Sequence, residues 1–232
     1  MKIIVPSSSV VYLPTVELIT VETHCHTRYS ADCLMRPARM IEACSERGID
    51  RLFITDHNIA RGAFEMAEMA PDLVVPGQEI LTSQGELLAF FINEEVPAHL
   101  SPMETIERLR TQGAVVSISH PFDICRRGHW QESELRSILP YVDAIEVFNA
   151  RCYSQRMNER ASSLAREVGQ LGTVGSDAHS YREIGRATLQ MPPFTGPVDF
   201  LASLRTASAK TSLSSPVIHL TSLWAKLVHT LN

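Results

Sequence analysis

Residues 21–32, VETHCHTRYSAD, place His24 and His26 one residue apart at the end of an apolar run. On a strand, residues i and i+2 project to the same side. Both imidazoles would then face one way and Cys25 the other. Two neutral imidazoles about 7 Å apart along a strand can share one cation. An HxH pair by itself suits a half-buried structural pair equally well, so the rest of the chain has to decide.

Outward from this stretch, short apolar segments alternate with amphipathic ones. LITVETHC (18–25) reads as a strand and RPARMIEACSERG (36–48) as a helix, with Pro37 in its first turn and Gly48 as its stop. RLFIT (51–55) is a strand, and RGAFEMAEMA (61–70) a helix closed before Pro71. LVVPGQEILT (73–82) and ELLAFFI (86–92) flank the turn SQG as a hairpin. PMETIERLRTQG (102–113) is a helix, with Ser101 and Glu104 as a capping box. AVVSISH (114–120) and DAIEVFN (143–149) are strands around the short helix QESELRSIL (131–139). The helix SQRMNERASSLAREVG (154–169) leads to the strand LGTVGSD (171–177). ATLQM (187–191) is a strand, PVDFLASLRTA (197–207) a helix and LTSLWAKLVHTL (220–231) an amphipathic helix. The alternation implies an α/β fold with a mostly parallel sheet, and about seven core strands with short βα turns favour a barrel.

The polar residues cluster at strand ends. The first strand ends in His24 and His26, with Asp32 in the next loop; the second ends in Asp56 and His57. The third carries Glu79 and the fourth begins with Glu86. The fifth ends in His120, the sixth carries Glu146, Asn149 and Arg151, and the seventh ends in Asp177 and His179. In β/α barrels the C-terminal strand ends are where catalytic groups converge. This distribution points to a polynuclear metal site.

Taken in order, THCHTRYSAD, ITDHN, GQEI, ISHPF, EVFN and GSDAH resemble the PHP (polymerase and histidinol phosphatase) family of metal-dependent phosphoesterases, over about residues 20–187. The resemblance implies a distorted seven-stranded (β/α)7 TIM-like barrel. It implies one PHP domain over 1–232, with a core at about 18–190 and C-terminal helices at about 196–232 packed on it. It also implies two to three divalent ions (Mn, Fe, Zn or Mg). By resemblance, His24, His26 and Asp177 hold a first ion, Glu79 bridges it to a second that His120 completes, and Asp32, His57 and His179 hold a third. Where many members have a histidine, this chain has Glu86, which keeps a ligand and makes the site harder and more anionic. Glu79, Asp177 and His179 are the candidate catalytic residues. Three divalent ions against the carboxylates of Asp32, Glu79, Glu86 and Asp177 leave an excess positive charge that matches a phosphate dianion. The expected chemistry is hydrolysis by a metal-activated hydroxide.

The 232 residues carry a net charge of −5, which argues against a long nucleic-acid partner but not against a small phosphorylated substrate. Five cysteines without CxxC spacing read neither as a disulfide framework nor as a structural zinc site. The N-terminal MKIIVPSSSVVYLPTV is too short and interrupted for a signal peptide, and no apolar run suits a membrane span. A cytoplasmic protein is expected, its oligomeric state open. Arg151 and Arg127 are candidate phosphate clamps, with Arg126 and Arg28 as further basic residues. His99, His129, His219 and His229 read as solvated, and the stripe Leu223, Trp224, Leu227, Val228 and Leu231 as the face that packs the last helix on the barrel, with a dimer contact open as the alternative. An exonuclease on short oligonucleotides is the alternative, and a non-catalytic metal-binding module a third.

Overall fold

The computed structural model describes residues 17–126 and 128–231. The N-terminal stretch 1–16 and the candidate clamp Arg127 lie outside the described residues. One nine-stranded sheet runs through the molecule in the order β7-β6-β5-β4-β3-β2-β1-β8-β9. Its strands are β1 (Ile19–Cys25), β2 (Arg51–Ile54), β3 (Val74–Leu81), β4 (Glu86–Phe90), β5 (Val115–Ile118), β6 (Ala144–Asn149), β7 (Leu171–Gly175), β8 (Ala187–Met191) and β9 (Ser208–Thr211). The helices are α1 (Pro37–Arg47), α2 (Arg61–Met69), α3 (Pro102–Thr111), α4 (Glu132–Ile138), α5 (Gln155–Val168), α6 (Pro197–Leu204) and α7 (Ile218–Leu231).

Local signals set the boundaries. Gly48 closes α1 at φ 63°, a left-handed value that only glycine adopts without strain. Ser101 Oγ accepts from Glu104 N at 3.2 Å at the start of α3, while the Glu104 carboxylate turns to Arg108 at 3.1 Å rather than closing a capping box.

Two expectations about the sheet are corrected. It is not mostly parallel: β1–β2, β2–β3, β5–β6 and β6–β7 are parallel, but β3–β4, β4–β5, β1–β8 and β8–β9 are antiparallel. The tight β3–β4 hairpin leaves no room for a crossover helix, so β4 runs backwards and brings its first residue, Glu86, to the end where its neighbours finish. The barrel-like sheet has nine strands where a distorted ring of seven was expected. β8 pairs with the first half of β1 (Ile19–Val21), so β7 meets β1 only near its end. There Cys25 bridges Ala178, His26 N donates to Ala178 O at 3.0 Å, and Thr23 Oγ1 donates to Val174 O at 2.9 Å. The sheet is therefore nearly closed, and closed best where the histidines stand.

Alternation sorts the strand side chains. Val21, Phe53, Val75, Leu88, Phe90, Val115, Ala144 and Val174 fill the base of the barrel with Phe194 and Phe200. Their odd-even partners Leu52, Ile54 and Val74 pack outward under α1 and α2, and Leu87, Ala89, Val116, Ile118 and Ile145 under α3, α4 and α5. A bulge in β1 between Glu22 and Cys25 resets the parity, which keeps Cys25 in the outer layer while His24 turns inward.

The last helix reverses its expected orientation. Ser222 and Ala225 are its buried residues, whereas Leu223 and Trp224 are each 62% exposed and Leu220, Leu227 and Leu231 also face outward. Polar contacts to the loops fix the inner face instead. Among the described residues no helix is long and apolar enough to cross a membrane.

Candidate metal centre

The nine sequence-predicted ligands converge at the upper end of the barrel. His24 and His26 bring their Nε2 atoms to 3.0 Å of each other, and Asp177 Oδ1 lies 3.6 Å from the first and 3.2 Å from the second. Glu79 Oε2 lies 3.4 Å from His24 Nε2, 3.5 Å from His26 Nε2 and 2.8 Å from His57 Nδ1. Its other oxygen accepts from Ser119 Oγ at 2.6 Å and pairs with His120 Nε2 at 2.9 Å. Glu86 Oε2 stands 3.5 Å from that same His120 nitrogen. Asp32 Oδ1 lies 3.2 Å from His179 Nε2 and 3.7 Å from His57 Nε2. Three sets of ligand atoms gather within 4.8 Å: His24, His26 and Asp177; His26, His57 and His179; His57, Glu79 and Glu86.

A further layer of side chains aims these groups. Glu146, left unplaced by the sequence, points inward: it pairs with His24 Nδ1 at 2.9 Å and accepts from His120 N at 2.8 Å and Asn149 Nδ2 at 3.1 Å. It shares strand parity with Ala144 at the barrel base, a signal the alternation of AIEVFN carries. Asp56 accepts from Thr27 N, Thr27 Oγ1 and Ser30 Oγ, each at 2.6 Å, and Ser30 in turn stands 3.0 Å from His26 Nδ1. This relay was not legible, since Ser30 lies in an irregular loop. Partners on the distal ring nitrogen fix a histidine's tautomer and leave the other nitrogen for a cation. Gly175 is needed beside this layer: a Cβ there would stand 2.3 Å from His24 Cβ and 2.7 Å from Glu146 Oε1.

The charges are tightly interlocked. Burial alone would lower the His24 pKa, but Glu79, Asp177 and Glu146 hold it well above the ordinary range. His57, half-buried, is raised to about 9 by Glu79 and Asp32 despite its desolvation. Burial, reinforced by His179 and His57, pushes His26 well below its usual value. Burial would raise Glu79, Asp177 and Asp32, yet the surrounding imidazoles, and Arg126 for Asp177, hold all three below the usual carboxylate range. Glu86 goes the other way, raised by burial and by Glu79. Among the described residues, four buried atoms of the nine ligand side chains have no hydrogen-bond partner: Asp32 Oδ1, Glu79 Oε2, Asp177 Oδ1 and His120 Nδ1. Three of the four are carboxylate oxygens directed at imidazole nitrogens, the donor chemistry of a divalent-ion site.

The basic residues divide differently from expectation. Arg151 is buried and already engaged, donating to Ser222 Oγ at 2.8 Å and to Asp177 O at 3.5 Å, with Glu183 Oε1 at 3.6 Å. Arg126 reaches the cluster instead, binding Asp177 Oδ2 and, through Nε, Asp123 Oδ2 at 3.1 Å. Arg28 sits at the surface, 3.6 Å from Glu65. His229, expected to be solvated, donates to Cys33 O at 3.0 Å, and His219 stacks on Tyr153 at 4.2 Å. His129 Nδ1 lies 2.8 Å from Arg126 O.

Comparison with known proteins agrees with this arrangement. The PHP domain model matches residues 22–84 and the PHP-associated model residues 155–208. An uncharacterised protein of Methanocaldococcus jannaschii is 34% identical over 196 residues, covering 80% of this chain and 78% of its own. Among solved structures, a two-domain protein of Bacteroides vulgatus containing a predicted PHP-like metal-dependent phosphoesterase aligns at TM-score 0.69 and 17% identity, over 90% of this chain and 70% of that one. A lesion-specific endonuclease of Pyrococcus furiosus aligns at TM-score 0.55 and 14% identity, over 75% of this chain and 52% of its own. At such identities the two structures speak for the fold alone.

Proposed function

Because the chain belongs to the PHP family of metal-dependent phosphoesterases, we propose that it hydrolyses the phosphate ester of a small phosphorylated metabolite or nucleotide, using two to three divalent ions. The observation that carries this reading is Glu79 Oε2, buried without a hydrogen bond and facing nitrogens of His24, His26 and His57. His24, His26 and Asp177 would hold one ion, Glu79 would bridge to a second beside Glu86 and His120, and Asp32 and His179 would hold a third. His57 stands between the last two sets, touching Glu79 with Nδ1 and Asp32 with Nε2. Divalent ions at such a site lower the pKa of water and neutralise charge on phosphoryl oxygens. The protein's own part is positioning. Glu146 and Ser30 orient His24 and His26, while Arg126 and Asn149 engage Asp177 Oδ2 and leave Oδ1 to the cavity. Its five cysteines are free, which fits a reducing, cytoplasmic setting.

Elemental analysis of protein purified without chelator, combined with a panel of mononucleotides, sugar phosphates and short oligonucleotides, tests this reading. Two to three metal equivalents are expected, with monoester hydrolysis abolished by EDTA and restored by Mn²⁺. Less than one equivalent after reconstitution, or full activity after exhaustive chelation, would overturn it. The second reading is an exonuclease on short oligonucleotides, a nucleic-acid substrate class that the endonuclease sharing this fold also takes. Preferential cleavage of the oligonucleotides in the panel would select it.

A further inference from the structure

Helix α7 lies outside both matched segments, 22–84 and 155–208, and crosses the mouth of the site. Four contacts fix its course. His219 stacks on Tyr153, Ser222 accepts from Arg151, Lys226 Nζ lies 3.5 Å from Asp32 Oδ2, and His229 donates to Cys33 O. Positions 219, 222, 226 and 229 follow the three-and-four spacing of a single helix face. The partners belong to the loop after β6 at one end and the loop after β1 at the other, so the helix spans the upper rim of the barrel.

We propose that Lys226 is a substrate-positioning residue: α7 suspends its ammonium at the mouth to bind the phosphate of the substrate opposite Arg126. The inference rests on the phosphoesterase reading and deepens it. Two carboxylates and one imidazole connect the two cations. Arg126 binds Asp177 Oδ2, His179 lies between Asp177 Oδ1 at 3.4 Å and Asp32 Oδ1 at 3.2 Å, and Lys226 closes the row on Asp32 Oδ2. The inner oxygens of both carboxylates have no hydrogen-bond partner and face the cluster, whereas the outer ones meet the cations. Once divalent ions take up the carboxylate charge, Arg126 and Lys226 stand as two positive groups on one rim. A phosphate dianion presents several oxygens at once and is drawn to such cations, as a neutral or cationic ligand is not. The Lys226 side chain is 58% exposed, so it can move from Asp32 to an incoming anion without unpacking the helix. A roof at this place also favours a terminal phosphate on a small molecule over a continuous strand.

The test uses the full chain loaded with Mn²⁺, as wild type, Lys226→Ala and Lys226→Arg. Inorganic phosphate binding is measured by titration calorimetry, metal content by elemental analysis, and KM and kcat on the best monoester of the panel. Lys226→Ala should weaken phosphate binding and raise KM about three- to tenfold, with kcat and metal content nearly unchanged, and Lys226→Arg should recover most of the loss. Unchanged phosphate affinity and KM would overturn the proposal. So would a loss of metal and kcat cured by excess Mn²⁺, which would make Lys226 only a partner of Asp32. If the wild type hydrolyses no monoester, the proposed function fails, but the phosphate titration still decides the role of Lys226.

Discussion

The lower and upper halves of the barrel interior are built from the same strands, with a bulge in β1 resetting the parity between them, yet they do opposite work. Below, Phe53, Phe90 and Phe200 pack against one another with ring centroids 4.9 to 6.0 Å apart. Midway, Ser117 Oγ and Thr173 Oγ1 meet at 3.1 Å. Above, the inward positions are Glu79, His24, Glu146 and Asp177, all buried. The base gains free energy by removing apolar surface from water. The top gives it up by crowding like charges and orphaned oxygens into low dielectric, where they await cations. A strand in this fold is thus divided along its length into a stabilising segment and a functional one.

The largest effect that would sharpen this contrast is on turnover. Glu79→Gln keeps the shape of the side chain but removes the charge at the centre of the cluster. Activity should fall on the order of a thousandfold, with fewer bound metal equivalents and a melting temperature of the chelated protein within a few degrees of wild type. Normal metal content and rate in this variant would erase the distinction between the halves. The mirror experiment is Phe53→Ala at the base, which should cost about 3–5 kcal/mol in denaturant unfolding. Metal content per folded molecule should stay unchanged; loss of metal from the folded variant would show that the halves are not separable.

A smaller effect comes from pH. Several groups of the upper half bind protons more tightly when folded than when unfolded: His24, His57, Glu86, His120 and Glu22, with His26 opposing them. His57 is raised to about 9, and Glu22, pushed up by burial despite hydrogen bonds from Ser176 and Gly185, to about 7. Their contribution is complete below the unfolded values, for His57 below about 6.5 and for Glu22 below about 4.5. It is lost as pH rises through the folded values. The chelated protein should therefore melt at a lower temperature at pH 9 than at pH 6, by a margin of a few kcal/mol at most. Saturating metal should flatten the dependence, and a chelated protein more stable at pH 9 would contradict it. Smallest of all, Ser101→Ala should cost about 1 kcal/mol of stability through the lost cap of α3, with kinetics untouched.

Much of this was legible in the sequence because it is local. Element boundaries followed from Pro37, Gly48, Ser101 and the turn at residues 83–85, and the ligand types from His24, His26, Glu79 and the Asp177–His179 pair. The reversed strand β4 was implicit in the hairpin, but its consequence for the sheet was not. Glu146 needed its parity fixed by Ala144, and Arg126 was separable from its neighbours only once Asp177 lay beside it.

The clearest division falls on α7. Helical periodicity written along the chain makes residues 220–231 a helix with one apolar and one polar face. Which face turns inward depends on contacts with distant loops. Burial of Leu223, Trp224 and Leu227 would have followed from hydrophobicity alone, but the loops beneath the helix present Arg151, Asp32 and the Cys33 carbonyl. Buried polar groups must be met by polar partners, and those lie on loops far from α7 in sequence. Periodicity acts over a few residues and fixes the faces. The choice between them rests on contacts between segments as much as 196 residues apart, which no local pattern encodes.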